Sequence, residues 1–302
     1  MLNLGSPNHS AAMENAIAKT VVHEYWRPNR PVNSDLPPRS ILSRMICKAI
    51  LAGVALVPGL LAPSTVASQQ PQRTILAIGA HAGDMELTAG QLLIKQRKQG
   101  DRVVILHMTL GEGGNARMTP AAYGEQKRRE ALAVDSVMGA ETLFAPYTDG
   151  ELPNDEATRL YVANVIRQVK PSYIITHWQK SIHKDHSNTS LIVQDAVLLA
   201  SLPGVVTGTP AHRGIRGIWY AENWEDAEDF QPFISVDVSE ERDRWRDAVS
   251  RYEFVGGKIS SFRYLDYYDA LAVVRGAIAG KQRAVSFNID AFGKRRVLDS
   301  LP

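Results

Sequence analysis

Two short segments of this 302-residue chain carry histidines and carboxylates in a pattern that can grip a metal ion. The first, His81-Ala82-Gly83-Asp84-Met85-Glu86, follows an apolar run, Thr74-Ile75-Leu76-Ala77-Ile78-Gly79-Ala80. The second, His183-Lys184-Asp185-His186, comes shortly after another, Ser172-Tyr173-Ile174-Ile175-Thr176. Each lies where a buried strand should give way to a loop and a helix. Two imidazoles and a carboxylate suit zinc, and also iron(II), and leave coordination positions open for water and substrate. Zinc lowers the pKa of bound water from about 15.7 to about 7 and polarises a carbonyl, which is the chemistry of metal-dependent hydrolysis. The competing reading makes these residues separate loop side chains with structural work.

The elements that would position them decide between the two. Strand candidates are 74–80, 102–109, 142–147, 173–176, 215–220 and 233–238, with helix candidates near 86–99, 119–138, 155–169 and 187–200. Gly100-Asp101, Gly139 and Pro171 punctuate the alternation. Strands separated by helices of this length form crossover units, hence an α/β fold with a mainly parallel sheet and helices on both faces. In such a sheet, ligands bind beyond the carboxyl ends of the strands. His81, the loop Gly111-Glu112-Gly113-Gly114-Asn115, Asp149, His183 and His186 all fall at such ends. That coincidence favours one site over scattered loop residues. After residue 205 the pattern is less regular: a glycine-rich link, then Trp219-Tyr220-Ala221-Glu222-Asn223-Trp224, a strand, and a charged helix from Glu240 to about Tyr252. The last fifty residues read only as helical and mixed.

Composition narrows the class. Hydrophobic residues at 44% and charged residues at 22% are ordinary for a globular protein, and a net charge of +2 with interspersed signs gives no footprint for nucleic acid. The single cysteine, Cys47, excludes an intrachain disulfide framework and a thiolate-rich zinc site. Residues 1–44 read as a disordered leader or a misassigned start ahead of Met45. Residues 45–68 have a basic start, an apolar stretch and a small-residue exit, the pattern of a signal peptide; a buried core helix fits that composition less well. The apolar stretch is short and broken by Pro58, so no membrane span is expected in the mature chain. The expectation is an exported protein with one α/β domain over 73–302.

Taken in order, these residues resemble the PIG-L/LmbE family of zinc-dependent N-deacetylases, from about Thr74 to about Val205. The family's motifs usually read Ala-His-Pro-Asp-Asp-x-Glu and His-x-Asp-His; here they are Ala80-His81-Ala82-Gly83-Asp84-Met85-Glu86 and His183-Lys184-Asp185-His186. Thr109-Leu110-Gly111-Glu112-Gly113-Gly114 and Asp149-Gly150 are also similar. The resemblance implies a Rossmann-like fold, a zinc ion on His81, Asp84 and His186, and His183 as the group that stabilises a developing oxyanion. It implies a small N-acylated substrate of the N-acetylglucosamine type. Two departures stand out. The family's general-base aspartate is replaced by Gly83, and its substrate-binding arginine by Lys127, which keeps the charge without the planar fork.

Glu86, Glu112 and Asp149 are the carboxylates left to replace the missing base. Glu86 competes with a role in the first turn of a helix, and Glu112 and Asp149 with substrate contacts. Asp185 either orients a histidine or caps a helix, with Ser187 and Asn188 as alternative caps. His107 and His177 read as packed histidines, and Trp219, Tyr220 and Trp224 either stack on a sugar ring or belong to the core. Gly111–Gly114 fails the spacing of both a P-loop and a dinucleotide fingerprint, which sets a nucleotide-binding protein aside. The remaining rival is a metal- or carbohydrate-binding protein that lost catalysis when glycine replaced the base.

Overall fold

A computed structural model describes residues 72–295, apart from 227, 258 and 292. The leader and the signal segment expected over 1–44 and 45–68 lie outside the described residues. The strands are β1 Thr74–Gly79, β2 Arg102–His107, β3 Glu141–Phe144, β4 Tyr173–His177, β5 Ile218–Ala221, β6 Ile234–Asp237 and β7 Ala284–Ile289. The helices are α1 Asp84–Thr88, α2 Gly90–Lys98, α3 Pro120–Met138, α4 Glu156–Val169, α5 Lys184–Ser201, α6 Arg242–Val249 and α7 Tyr264–Ile278. The strands form one sheet in the order β3-β2-β1-β4-β5-β7-β6. The first five are parallel, and β7 pairs antiparallel with both β5 and β6.

Alternation along β1 explains the two layers. Ile75 and Ala77 face one core with Leu93, Val134, Trp245 and Phe287, while Leu76 and Ile78 face another with Val162, Ile166, Ile192 and Val193. Side chains two apart share a face of a strand, so a run apolar at every position buries both sides and needs helices on each. Helices α2, α3 and α6 cover the first face, and α4 with α5 cover the second.

Local chemistry sets the ends of the helices. Thr119 accepts from the Ala122 amide at 3.3 Å ahead of Pro120, and Gly139 closes α3 in the left-handed conformation at φ 79°. Asp155 caps α4 by accepting from the Thr158 amide at 2.9 Å. The single helix expected over 86–99 is two helices. The Trp245 indole donates to the Glu86 carbonyl at 2.9 Å, taking the acceptor that residue 90 would use in an unbroken helix. Its ring lies where a Cβ on Gly90 would stand, 2.9 Å from Cδ1.

Strand order reverses between β1 and β4, so the crevice beyond their carboxyl ends is a topological switch point. His81 leaves β1 there, and His183 and His186 sit at the start of the helix that follows β4.

Candidate metal centre

Three donor atoms converge at the switch point. His81 Nδ1 is 3.1 Å from His186 Nε2 and 3.3 Å from Asp84 Oδ2, and His186 Nε2 is 3.4 Å from that same oxygen. Ligand atoms held tetrahedrally about 2.0–2.1 Å from a zinc ion stand about 3.3–3.4 Å apart, so the triangle has the size a shared cation requires. Without a cation these histidines attract protons. Burial works against charging His186, yet Asp84 and Glu225 outweigh it and push its pKa up to about 9. His81 behaves alike: burial opposes its charge, and Asp84, Asp149 and Asp185 hold its pKa well above the usual imidazole value. Two imidazoles drawn toward charge by surrounding carboxylates are a donor set that fits a divalent ion.

The remaining nitrogen of each ligand histidine has a carboxylate beside it. His81 Nε2 lies 3.0 Å from Asp149 Oδ1 and 3.7 Å from Asp185 Oδ2, while His186 Nδ1 lies 2.9 Å from Glu225 Oε2. Such partners fix ring orientation and raise the basicity of the ligand. They are themselves held: Asp149 Oδ2 accepts from the Gly113 amide at 2.9 Å and Asp185 Oδ2 from the Gly150 amide at 2.7 Å. His177 stacks on His186 at 4.0 Å between centroids, and its Nε2 accepts the Ala80 amide at 2.9 Å. Burial and then His186 lower the His177 pKa to about 4, so this ring is neutral.

His183 caps α5: its Nδ1 accepts the Asp185 amide at 3.2 Å. An accepting Nδ1 leaves the proton of a neutral imidazole on Nε2. Burial, followed by His81 and His186, depresses its pKa, and its ring stands 4.5 Å from that of His81. The helix therefore begins at Lys184 rather than near Ser187, and the cap is a histidine instead of Asp185, Ser187 or Asn188.

These groups open onto a cavity of about 210 Å³. Tyr123, Trp224, Phe254, Tyr264 and Tyr268 supply an aromatic wall, and Trp224 is stacked on Phe262 at 4.5 Å. Lys127 lines it too, but its Nζ donates to the Ala82 carbonyl at 2.5 Å and lies 3.9 Å from the centre of the Phe254 ring. Burial brings its pKa down to about 8.

The other expected site residues take different places. Glu112 is not in the cavity lining; its carboxylate accepts from the Leu110 and Asp149 amides at 3.2 and 2.9 Å and clamps the loop. Glu86 is fully buried outside the cavity, where the Tyr252 hydroxyl donates to Oε1 at 2.5 Å. The space of the absent base is filled. Gly83 has φ 112°, and a Cβ there would stand 2.7 Å from Phe254 Cζ. Trp219 packs against Tyr173 and Phe287, and Tyr220 is buried, so of the three aromatics only Trp224 lines the cavity.

Sequence reading missed Glu225, Asn223, Phe254 and Tyr264. Asn223 and Glu225 were within reach of the same strand-end rule, since they follow β5 directly. Phe254 and Tyr264 lie in loop and helix positions whose apolar character reads as core.

The family model described as GlcNAc-PI de-N-acetylase, PIG-L, matches residues 76–197. Over 224 residues the chain is 22% identical to 4-oxalmesaconate hydratase of Pseudomonas putida, covering 72% of this chain and 84% of that one. The crystal structure of 4-carboxy-2-hydroxymuconate hydratase from Pseudomonas putida KT2440 superposes with a TM-score of 0.67 at 22% identity, over 76% of this chain and 100% of the other. N,N'-diacetylchitobiose deacetylase from Pyrococcus horikoshii superposes with a TM-score of 0.62 at 18% identity, over 73% and 84%. At these identities the superpositions establish a shared fold.

Proposed function

We propose that this member of the PIG-L family, matched over residues 76–197, is a metal-dependent hydrolase that removes the acyl group from a small N-acylated compound of the amino-sugar type. The observation that carries the reading is the donor triangle of His81, Asp84 and His186, whose edges of 3.1–3.4 Å match one shared cation. When bound there, zinc supplies Lewis-acid chemistry, making water nucleophilic near neutral pH and polarising a carbonyl.

The chain's own residues do the rest. Asp149 and Glu225 hold the two ligand rings in place through their outer nitrogens. His183 presents Nε2–H, because its Nδ1 is committed to the Asp185 amide, and donates toward negative charge growing on the acyl oxygen. One such donor contributes roughly 3–4 kcal/mol in comparable oxyanion sites. The aromatic wall receives a ring and excludes water from it.

A second reading, hydration of a carbon–carbon double bond, is favoured by one observation: Phe254 occupies the room a general-base side chain at position 83 would need. The charge of the lining favours deacylation. Among the described lining residues Lys127 is the one Lys or Arg side chain, and it already holds a backbone carbonyl, whereas Asp84, Asp149 and Glu225 are all acidic. A multiply charged carboxylate substrate finds little there to neutralise it.

The test is acetate release from a panel of N-acetylated amino sugars by the zinc-loaded chain, alongside an absorbance assay for water addition to an unsaturated carboxylate such as 4-oxalmesaconate. Chelation and His186→Ala should each abolish acetate release. Full activity after verified metal removal defeats the metal-dependent reading, and turnover confined to the unsaturated acid transfers the site to the second one.

A further inference from the structure

A second cluster of metal-ligating side chains lies outside the cavity, on the far side of α1. Glu86 of α1, His107 at the end of β2 and Asp135 of α3 meet in the core, with exposures of 0%, 1% and 0%. His107 Nε2 is 3.5 Å from Asp135 Oδ2 and 3.9 Å from Glu86 Oε1, and the three donor atoms all lie within 4.8 Å of one another.

The cluster is incomplete as a set of protein hydrogen bonds. Both ring nitrogens of His107, Oε2 of Glu86 and Oδ1 of Asp135 are buried with no hydrogen-bond partner. Among the described residues neither carboxylate pairs with a lysine or arginine; each has only His107 within ion-pair distance. Buried polar and ionisable atoms left without partners are costly, and these four sit together in the same enclosed cluster.

The outer contacts are those of ligands already held in place. The Tyr252 hydroxyl donates to Glu86 Oε1 at 2.5 Å, and the Thr142 hydroxyl donates to Asp135 Oδ2 at 2.8 Å. Each thus braces the oxygen that faces His107, as partners of ligating carboxylates do. The two edges at His107 are 3.5 and 3.9 Å and the third, between the carboxylate oxygens, is within 4.8 Å, so the set contracts toward the about 3.3–3.4 Å of a tetrahedral zinc set when it closes on an ion.

We propose that Glu86, His107 and Asp135 form a second, buried cation site, taking a divalent transition ion of the zinc or manganese class. Two carboxylates and one imidazole suit such an ion, whereas calcium requires six to eight oxygens. The ion neutralises the cluster and ties α1, which also carries Asp84, to β2 and α3. It is structural: no cavity-lining residue belongs to this set.

The experiment counts metal in the full chain expressed with added Zn2+ or Mn2+ and gel-filtered free of loose ion. Two equivalents per chain are expected for the wild type, one for His107→Gln and one for His186→Ala. The His186→Ala arm reports the surface-facing centre separately, so failure of either site is seen without the other. A wild-type chain that saturates at one equivalent, lost in His186→Ala, overturns the proposal and assigns the charge balance to protons held within the cluster. Two equivalents retained in His107→Gln overturn it as well. Should His107→Gln fail to fold, Asp135→Asn takes its place: one equivalent is expected, and two retained overturn the proposal.

Discussion

Glu225 and Asn223 bring the C-terminal part of the chain to the candidate metal centre, Asn223 Nδ2 standing 3.4 Å from Nδ1 of His186. The Glu225 carboxylate stands 2.9 Å from the same nitrogen, and Asn223 is fixed by the Tyr268 hydroxyl at 2.7 Å. A carboxylate on the outer nitrogen raises the electron density a histidine offers a cation, and losing it typically costs about 10–100-fold in metal affinity. Glu225→Ala should weaken zinc binding by that order in competition with a chromogenic chelator, with Glu225→Gln intermediate because it keeps a hydrogen-bond acceptor and loses the charge. Unchanged affinity in both would show that Glu225 does not orient His186. At this scale the histidines and aspartates of the two motifs were legible because their types and spacing allow few other roles. Glu225 has no motif of its own, and only its place just after β5 could have pointed to it. Gly83 was legible as a departure, but its cause was not: the obstruction comes from Phe254, 171 positions along the chain, and needs coordinates to be seen.

Among the elements, α5 matters most to the site, because its first turn supplies both His183 and His186. Its other end is held by Arg167 of α4, which is 2% exposed. The guanidinium donates to the carbonyls of Ala200, Leu199 and Leu202 at the end of α5, and to those of Val205 and Thr209 in the following loop. A cation suits the negative end of a helix, and among the described residues no carboxylate pairs with it. Arg167→Leu leaves these acceptors to find water or go unpaired, a loss of about 2–4 kcal/mol, given about 1–3 kcal/mol for each buried group left unsatisfied. Urea unfolding reads this directly; a midpoint unmoved from wild type would mean that the loop satisfies its own carbonyls. The parallel strands and α3 to α5 were readable from apolar runs and glycine or proline punctuation. β7 was not, because Ala284–Ile289 alternates weakly and pairs antiparallel between two earlier strands, a long-range insertion that local pattern does not encode.

At the scale of the whole molecule, the strand order places the end of β1 beside the end of β4 at the point where the chain reverses direction across the sheet. That arrangement alone brings His81 and Asp84 against His186, whose segment lies about a hundred residues further along the chain. Residues beyond the family-matched span then close the pocket with Trp224, Phe254, Tyr264 and Tyr268. The strand ends that carry the donor triangle lie within the family-matched span, and the aromatic wall of the cavity comes mostly from beyond it. The most direct measurement is an anomalous difference map from a crystal of the zinc-loaded protein, collected on both sides of the zinc absorption edge. A peak enclosed by His81 Nδ1, Asp84 Oδ2 and His186 Nε2 is the expected result. A fully loaded crystal with no zinc at that triangle would contradict it.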